Sequence, residues 1–392
     1  MPKMNRRKFL RAAAAMPIAA QLPWNPEIFH TAASGAKKKK LLLVGTQTVA
    51  ASKGIYAYHW DAEQGEPALA GLAAEAKDPT FLAVDPSGKY LYAANEINEF
   101  EAQKSGAVSS FEVDVAAAKL KPLNQIAAQG TGTCHVATDH QGRTVFCANY
   151  AGGSASSFYV YPDGQLSQPV SHFQYTGHGP NSARQEAPHA HRVTPSPDDR
   201  YLLVNDLGLD CIHIYQLDPL SGHLKPSDPA QWNATPGSGP RALRFHPNGR
   251  LAYCVHELAD EVEVLAWSAK KATLTSIQKV KLNADDYSGP AATGSDIVID
   301  SAGRFAYAAN RFADTIVSFS LDKAGKLTVI GRVSCGGKVP RHLTLDPTEK
   351  WLLVANQESD NISIFARDAA TGKLAENPKS IPLSRPQCLV FA

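Results

Sequence analysis

The sequence predicts an all-β fold, a seven-bladed β-propeller with four antiparallel strands per blade. Three observations carry the prediction: a hairpin frame that recurs along the chain, an alternating strand after each copy, and complementary half-frames at its two ends. The frame is clearest where Phe81 to Asn95, Leu243 to His256 and Leu343 to Asn356 are laid under one another. Each has a short apolar strand, a turn of Pro-x-Gly type, and a second apolar strand that ends in Asn or a substitute. It recurs from Val136 to Asn149, Val193 to Asn205 and Ile297 to Asn310, which makes six copies.

A polar gap and a third strand follow each copy, as at Val108 to Val113, Ala155 to Val160, Cys211 to Tyr215, Val262 to Ala266, Ile316 to Phe319 and Ile362 to Phe365. Turns such as Tyr161-Pro-Asp-Gly and Asp322-Lys-Ala-Gly then lead into a weaker fourth strand. The ends supply the seventh blade. Leu41 to Thr46 is a second strand with no first ahead of it, and Arg385 to Phe391 is a first strand with no second after it. Pairing them closes the ring and removes the exposed sheet edges of an open array.

The N-terminus reads as an address. Asn5-Arg6-Arg7-Lys8-Phe9-Leu10-Arg11 precedes a weakly apolar stretch, Ala12 to Leu22, too short and too alanine-rich to span a bilayer. It resembles a twin-arginine export signal, with small residues from Ala32 to Ala36 as a cleavage region. The expected division is a signal over 1–36 and one propeller over 37–392, exported to the periplasm or beyond by the twin-arginine machinery, monomeric, with no membrane segment in the mature protein. Removing the first 36 residues moves the formal charge from +2 to −2, so no nucleic-acid partner is implied. The six cysteines show no Cys-x-x-Cys spacing, which argues against structural zinc or a thioredoxin-type redox pair.

Blade geometry predicts where chemistry gathers. The start of the first strand and the end of the second lie side by side, and in every blade they open on one face. The first set of positions is Thr80, Cys134, His191, Arg241, Ser295 and Arg341; the second is Glu96, Tyr150, Asp206, Glu257, Arg311 and Gln357. His135, His189, His256 and His342 lie within a few residues of the same rim. Such a mouth suits a small anionic substrate with a polarised carbonyl. A propeller that only binds partners through its loops is the alternative, and the insertion Thr176 to Glu186 is either a lid or a partner contact.

Glu186-Ala-Pro-His-Ala-His191, Asn205-Asp206, Gly239-Pro-Arg241, His256-Glu-Leu258, Asn310-Arg311, Pro340-Arg-His342 and Asn356-Gln357 resemble the signatures of the seven-bladed lactonase family, in order and at blade spacing, from Leu41 to Phe391. Its members include propeller-type 6-phosphogluconolactonases and a carboxymuconate-lactonising enzyme. The resemblance implies ring-ester hydrolysis, or its reverse, of a small lactone without metal or organic cofactor. Carried over, the family's active-site residues fall on the His of Pro-His-Ala-His, Arg241, Glu257 and Arg311. His189, His191 and Glu257 are thus the expected catalytic groups, and Arg241, Arg311, Arg341, His342, Asp206, Glu96 and Gln357 the expected substrate contacts. Either a histidine of the 189/191 pair or Glu257 would move the proton; a glutamate flanked by arginines is a weak base, which favours histidine. Two departures bear on substrate shape: His256 where relatives commonly have Asn, and Ala242 where they commonly have His.

Overall fold

The computed structural model describes residues 40–49 and 51–392. The predicted export signal therefore lies outside the described residues. Those residues form twenty-eight strands in seven four-stranded antiparallel sheets. The inner strands are Pro79–Val84, Thr133–Thr138, Ala190–Pro195, Pro240–Phe245, Thr293–Ile299, Pro340–Leu345 and Pro386–Phe391. Each neighbours the next around the ring. The last pairs with Lys40–Thr46, Val44 opposite Leu389, so the split blade closes as predicted.

Second strands such as Tyr90–Asn95, Thr144–Asn149 and Leu251–His256 are buried at every residue. They have no polar alternation because a neighbouring blade covers each face. The core accordingly lies between blades: Tyr253, Val255 and Val264 pack against Ala306, Ala308 and Phe319 of the next sheet. Aromatic hydroxyls tie the same joint. Tyr253 and Tyr307 each donate at 2.8 Å to a glycine carbonyl, Gly325 and Gly372, in the outer turn of the following blade.

Both ends of the inner hairpin are fixed by short-range chemistry. At the turn end, Asp85, Asp139, Asp300 and Asp346 accept backbone N–H bonds at 2.7–2.9 Å from the start of the second strand. At the opposite end, Asn95 and Asn356 donate to the carbonyls of Lys77 and Cys335 and so hold the loop that leads into the inner strand. His256 takes the place of Asn in its blade; its Nδ1 meets the Ser238 hydroxyl at 3.0 Å and its Nε2 the Glu263 carboxylate at 2.9 Å.

A bulge opens every inner strand. Pairing skips one residue between Pro79 and Phe81, Thr133 and His135, Ala190 and Arg192, Pro240 and Ala242, and Pro340 and His342, with equivalent shifts after Gly294 and at Gln387. The skipped residues include Thr80, Cys134, His191, Arg241, Arg341 and Gln387. Bulges re-aim side chains and release them from the ladder. Here that happens at one height around the whole ring.

Candidate active site

Glu257 is the centre of the bulged end. Its backbone N–H donates to the Gly239 carbonyl at 2.8 Å, which sets it beside the loop that carries Arg241. Three guanidinium groups from three parts of the chain meet its carboxylate. Arg241 Nε and Arg311 Nη2 each lie 2.8 Å from Oε2, and Arg184 Nη2 lies 2.5 Å from Oε1. Arg241 also donates through Nη1 to the Ser295 carbonyl. Burial alone would raise the Glu257 carboxyl, but Arg311, Arg241 and Arg184 outweigh it and hold the group at about 2. Three cations against one carboxylate leave a surplus of positive charge in a site where Glu257 is 2% exposed. Low-dielectric surroundings strengthen its pull on an incoming anion.

His191 and His189 differ in what their rings touch. His189 has both nitrogens engaged: Nδ1 lies 3.0 Å from the Tyr150 carbonyl and Nε2 3.2 Å from Glu186, while the ring stacks on Tyr150 with centroids 4.4 Å apart. His191 meets Tyr150 edge to face at 5.4 Å and makes no hydrogen bond to another side chain among the described residues. Burial and then the charges of Arg241, Arg341 and Arg311 push its pKa well below the usual histidine range. That favours the neutral imidazole over the charged one. Tyr150 joins it to the cluster, since Arg184 Nη2 donates to the Tyr150 hydroxyl at 3.4 Å.

The other predicted residues divide. Arg341 sits at the same level, 3.5 Å from Glu96. His342 lies deeper: its Nδ1 accepts from the Leu389 N–H at 3.3 Å and its Nε2 faces Asp296 at 3.6 Å. Asp296 also binds Arg192 at 2.7 Å, so these three form a buried layer below the mouth. Two assignments need correction. Asp206 is fully buried and its Oδ1 accepts the N–H groups of His189, Gly208 and Leu209 at 2.8–3.1 Å, so it caps a turn. Gln357 is half-buried and donates its amide to the neighbouring Glu358 at 3.0 Å. The residue after the strand-ending Asn can fold back on the backbone or point away, and its type does not say which.

Two contributors escaped the sequence reading. Arg184 belongs to the Thr176 to Glu186 insertion, which has no counterpart in the repeat. Gln185 pins that insertion, donating to the Leu207 carbonyl at 2.9 Å and accepting from the Asn181 N–H at 3.1 Å. Gln387, at the seventh bulge, is 1% exposed, and neither amide atom has a partner among the described residues. With Cys134, His191, Arg241 and Arg341 it lines a narrow space of about 20 Å³ at the centre of the ring. The bulge count could have found it, because the split blade must supply a seventh inner strand. All six cysteines are buried and unpaired.

Residues 41–391 match the family model described as "Lactonase, 7-bladed beta-propeller". The 6-phosphogluconolactonase of Bacillus subtilis is 36% identical over 349 residues, covering 89% of this chain and 97% of the relative. That of Formosa agariphila is 33% identical, covering 84% and 92% respectively. Among solved structures, the periplasmic gluconolactonase PpgL of Pseudomonas aeruginosa superposes with a TM-score of 0.83 at 30% identity, covering 90% of this chain and 98% of that one.

Proposed function

Because the chain belongs to the seven-bladed β-propeller lactonases, and so is a ring-ester hydrolase, we propose that it opens a small anionic or sugar-derived lactone at the bulged mouth, without a metal ion. The observation that carries this reading is the Glu257 carboxylate ringed by Arg184, Arg241 and Arg311. The guanidinium N–H groups not spent on Glu257 face an incoming anion and stabilise the oxyanion that forms when water adds to the lactone carbonyl. Glu257 holds the three guanidiniums in place. Its low pKa makes it a poor base.

His191 moves the proton. As the water oxygen bonds to the carbonyl carbon, the neutral imidazole takes one water proton. The tetrahedral intermediate collapses, the ring C–O bond breaks, and the imidazolium returns the proton to the departing alkoxide, giving a hydroxy acid. Burial first and the guanidiniums next depress His191, and the oxyanion that forms beside those guanidiniums offsets part of their charge, so the imidazolium is best supported in the tetrahedral intermediate.

The twin-arginine-like residues 5–11 support an exported enzyme, and an exported lactonase meets unphosphorylated sugar lactones rather than cytosolic phosphorylated ones. The gluconolactonase named above is described as periplasmic, which agrees with that choice. A panel of phosphorylated and free lactones, assayed by acid release with Arg241→Ala as control, tests the reading. Loss of one oxyanion donor should lower kcat by about 10²–10³-fold. An Arg241→Ala enzyme at wild-type rate would remove the assignment, and loss of activity on dialysis against a chelator would remove the metal-free mechanism.

A further inference from the structure

The inner strands run from the catalytic mouth to the other end of the ring, and there a second cavity opens. It has a volume of about 600 Å³ and is lined by the last residues of the inner strands, among them Thr138, Pro195, Phe245, Leu345 and Phe391. The Arg192–Asp296–His342 layer separates it from the catalytic cluster.

Its charge is one-sided. Its two arginines are Arg192 and Arg244, and no carboxylate is among the lining residues; of its three histidines, His135 and His342 are held below the ordinary range and His140 pairs with Asp199 at 2.6 Å. Arg192 is accounted for, because Asp296 takes its guanidinium at 2.7 Å. Arg244 is not. It has no ion pair or hydrogen bond among the described residues, and its Nε is fully buried without a partner. Burial and the nearby charge of Arg192 push its pKa down, and Asp296, which forms no ion pair with it, offsets only part of that. A guanidinium in that setting is stabilised by an acceptor that the fold does not provide.

A second donor stands beside the same space. His135 is 5% exposed, and its Nδ1 accepts from the Val193 N–H at 3.4 Å. That leaves the proton on Nε2, which is buried and has no partner among the described residues. The walls between these donors are apolar. Phe245, Phe391, Pro195 and Leu345 suit a hydrocarbon surface and offer nothing to a hydrated inorganic ion.

We propose that this cavity is a second binding site, distinct from the catalytic mouth, for a small organic monocarboxylate with an apolar body, its carboxylate held by Arg244 and His135. The anion supplies the charge that Arg244 lacks, and the apolar body fills the space between the strand ends. One bound anion neutralises one cation, which makes a singly charged ligand the fitting class.

Benzoate is a suitable probe, with benzyl alcohol as its neutral counterpart and inorganic phosphate as the hard anion, titrated calorimetrically into the full chain. The expected result is saturable benzoate binding in the millimolar range or tighter, little or no binding of benzyl alcohol, and weaker binding of phosphate. Arg244→Gln should weaken benzoate at least about tenfold, the effect of losing a charge-assisted hydrogen bond, while Arg311→Gln at the catalytic mouth leaves it unchanged. Melting curves of each variant report whether it is folded, and Arg244→Lys serves if Arg244→Gln is not, with partial retention of affinity expected. Equal binding of benzyl alcohol, stronger binding of phosphate, loss of benzoate in Arg311→Gln alone, or no saturable binding to the unmodified chain would each overturn the proposal.

Discussion

At the turn end of the inner hairpins, Asp85, Asp139, Asp300 and Asp346 occupy one position in four blades and accept backbone N–H groups in the same way. At the other end, the bulged position holds Thr80, Cys134, His191, Arg241, Arg341 and Gln387, so that its chemistry changes from blade to blade. The same strands carry both ends. Where the fold needs one solution the blades repeat it, and at the mouth the side chains differ while the backbone bulge stays constant. Repetition along the chain thus marks architecture, and variation at a repeated position marks chemistry.

Substitutions at the two ends should separate stability from rate. The largest effect is expected for Glu257→Gln, which leaves two buried arginines without a counter-charge. It should cost about 3–5 kcal/mol of stability by denaturant unfolding and lower kcat/KM at least about 10³-fold. His191→Asn comes next. It should lower kcat by about 10²–10⁴-fold with a melting temperature close to that of the parent, whereas His189→Asn should disturb stability through Tyr150 and Glu186 as well as rate.

The turn end should behave in the reverse manner. Asp346 is 1% exposed and accepts from Trp351, Thr348 and the Trp60 indole. Asp346→Ala should cost about 2–3 kcal/mol with kcat/KM nearly unchanged when both are measured on the same preparation. A matching loss of rate would mean that the two ends are not independent.

The smallest effect concerns acid. His135, His191 and His342 are all held below the ordinary histidine range, first by burial, with His342 at about 4. A histidine depressed in the folded state binds its proton more readily when unfolded, so its stabilisation is complete above pH 6.5 and lost as the pH falls toward the folded value. Melting temperature should therefore drop between pH 6.5 and about 4, before Glu257 titrates. His256 has the opposite sign. Burial opposes its charge, but Cys254 and Glu263 raise it to about 9, so its contribution is lost as the pH rises through that value. In kinetics, the depressed His191 predicts no acid limb in kcat/KM near the ordinary histidine range, and a limb there would reassign the base.

The residues that could be read in advance are those bound to the repeat. The six frames, the split seventh blade and the positions of His191, Arg241, Glu257, Arg311, Arg341 and Glu96 all follow from strand spacing, because a fixed register carries each to a known height on the ring. Asp206 and Gln357 have the expected register, but Asp206 is spent on backbone N–H groups and Gln357 bonds Glu358, because one rotamer decides what a rim side chain meets. Arg184 has no register at all. It comes from an insertion whose conformation depends on Gln185 and the Leu207 carbonyl, contacts that no periodicity encodes.

The ring is joined by its last strand: Leu41 and Ala392 exchange backbone hydrogen bonds at 3.2 and 2.9 Å, and the same strand carries Gln387 into the centre. The other six blades each draw their four strands from one continuous stretch of chain, whereas this blade needs residues 386–391 to meet residues 40–46. A chain cut before Pro386 would therefore carry a raw sheet edge at Lys40–Thr46 and lack Gln387 at the centre of the ring, a product fit for proteolysis.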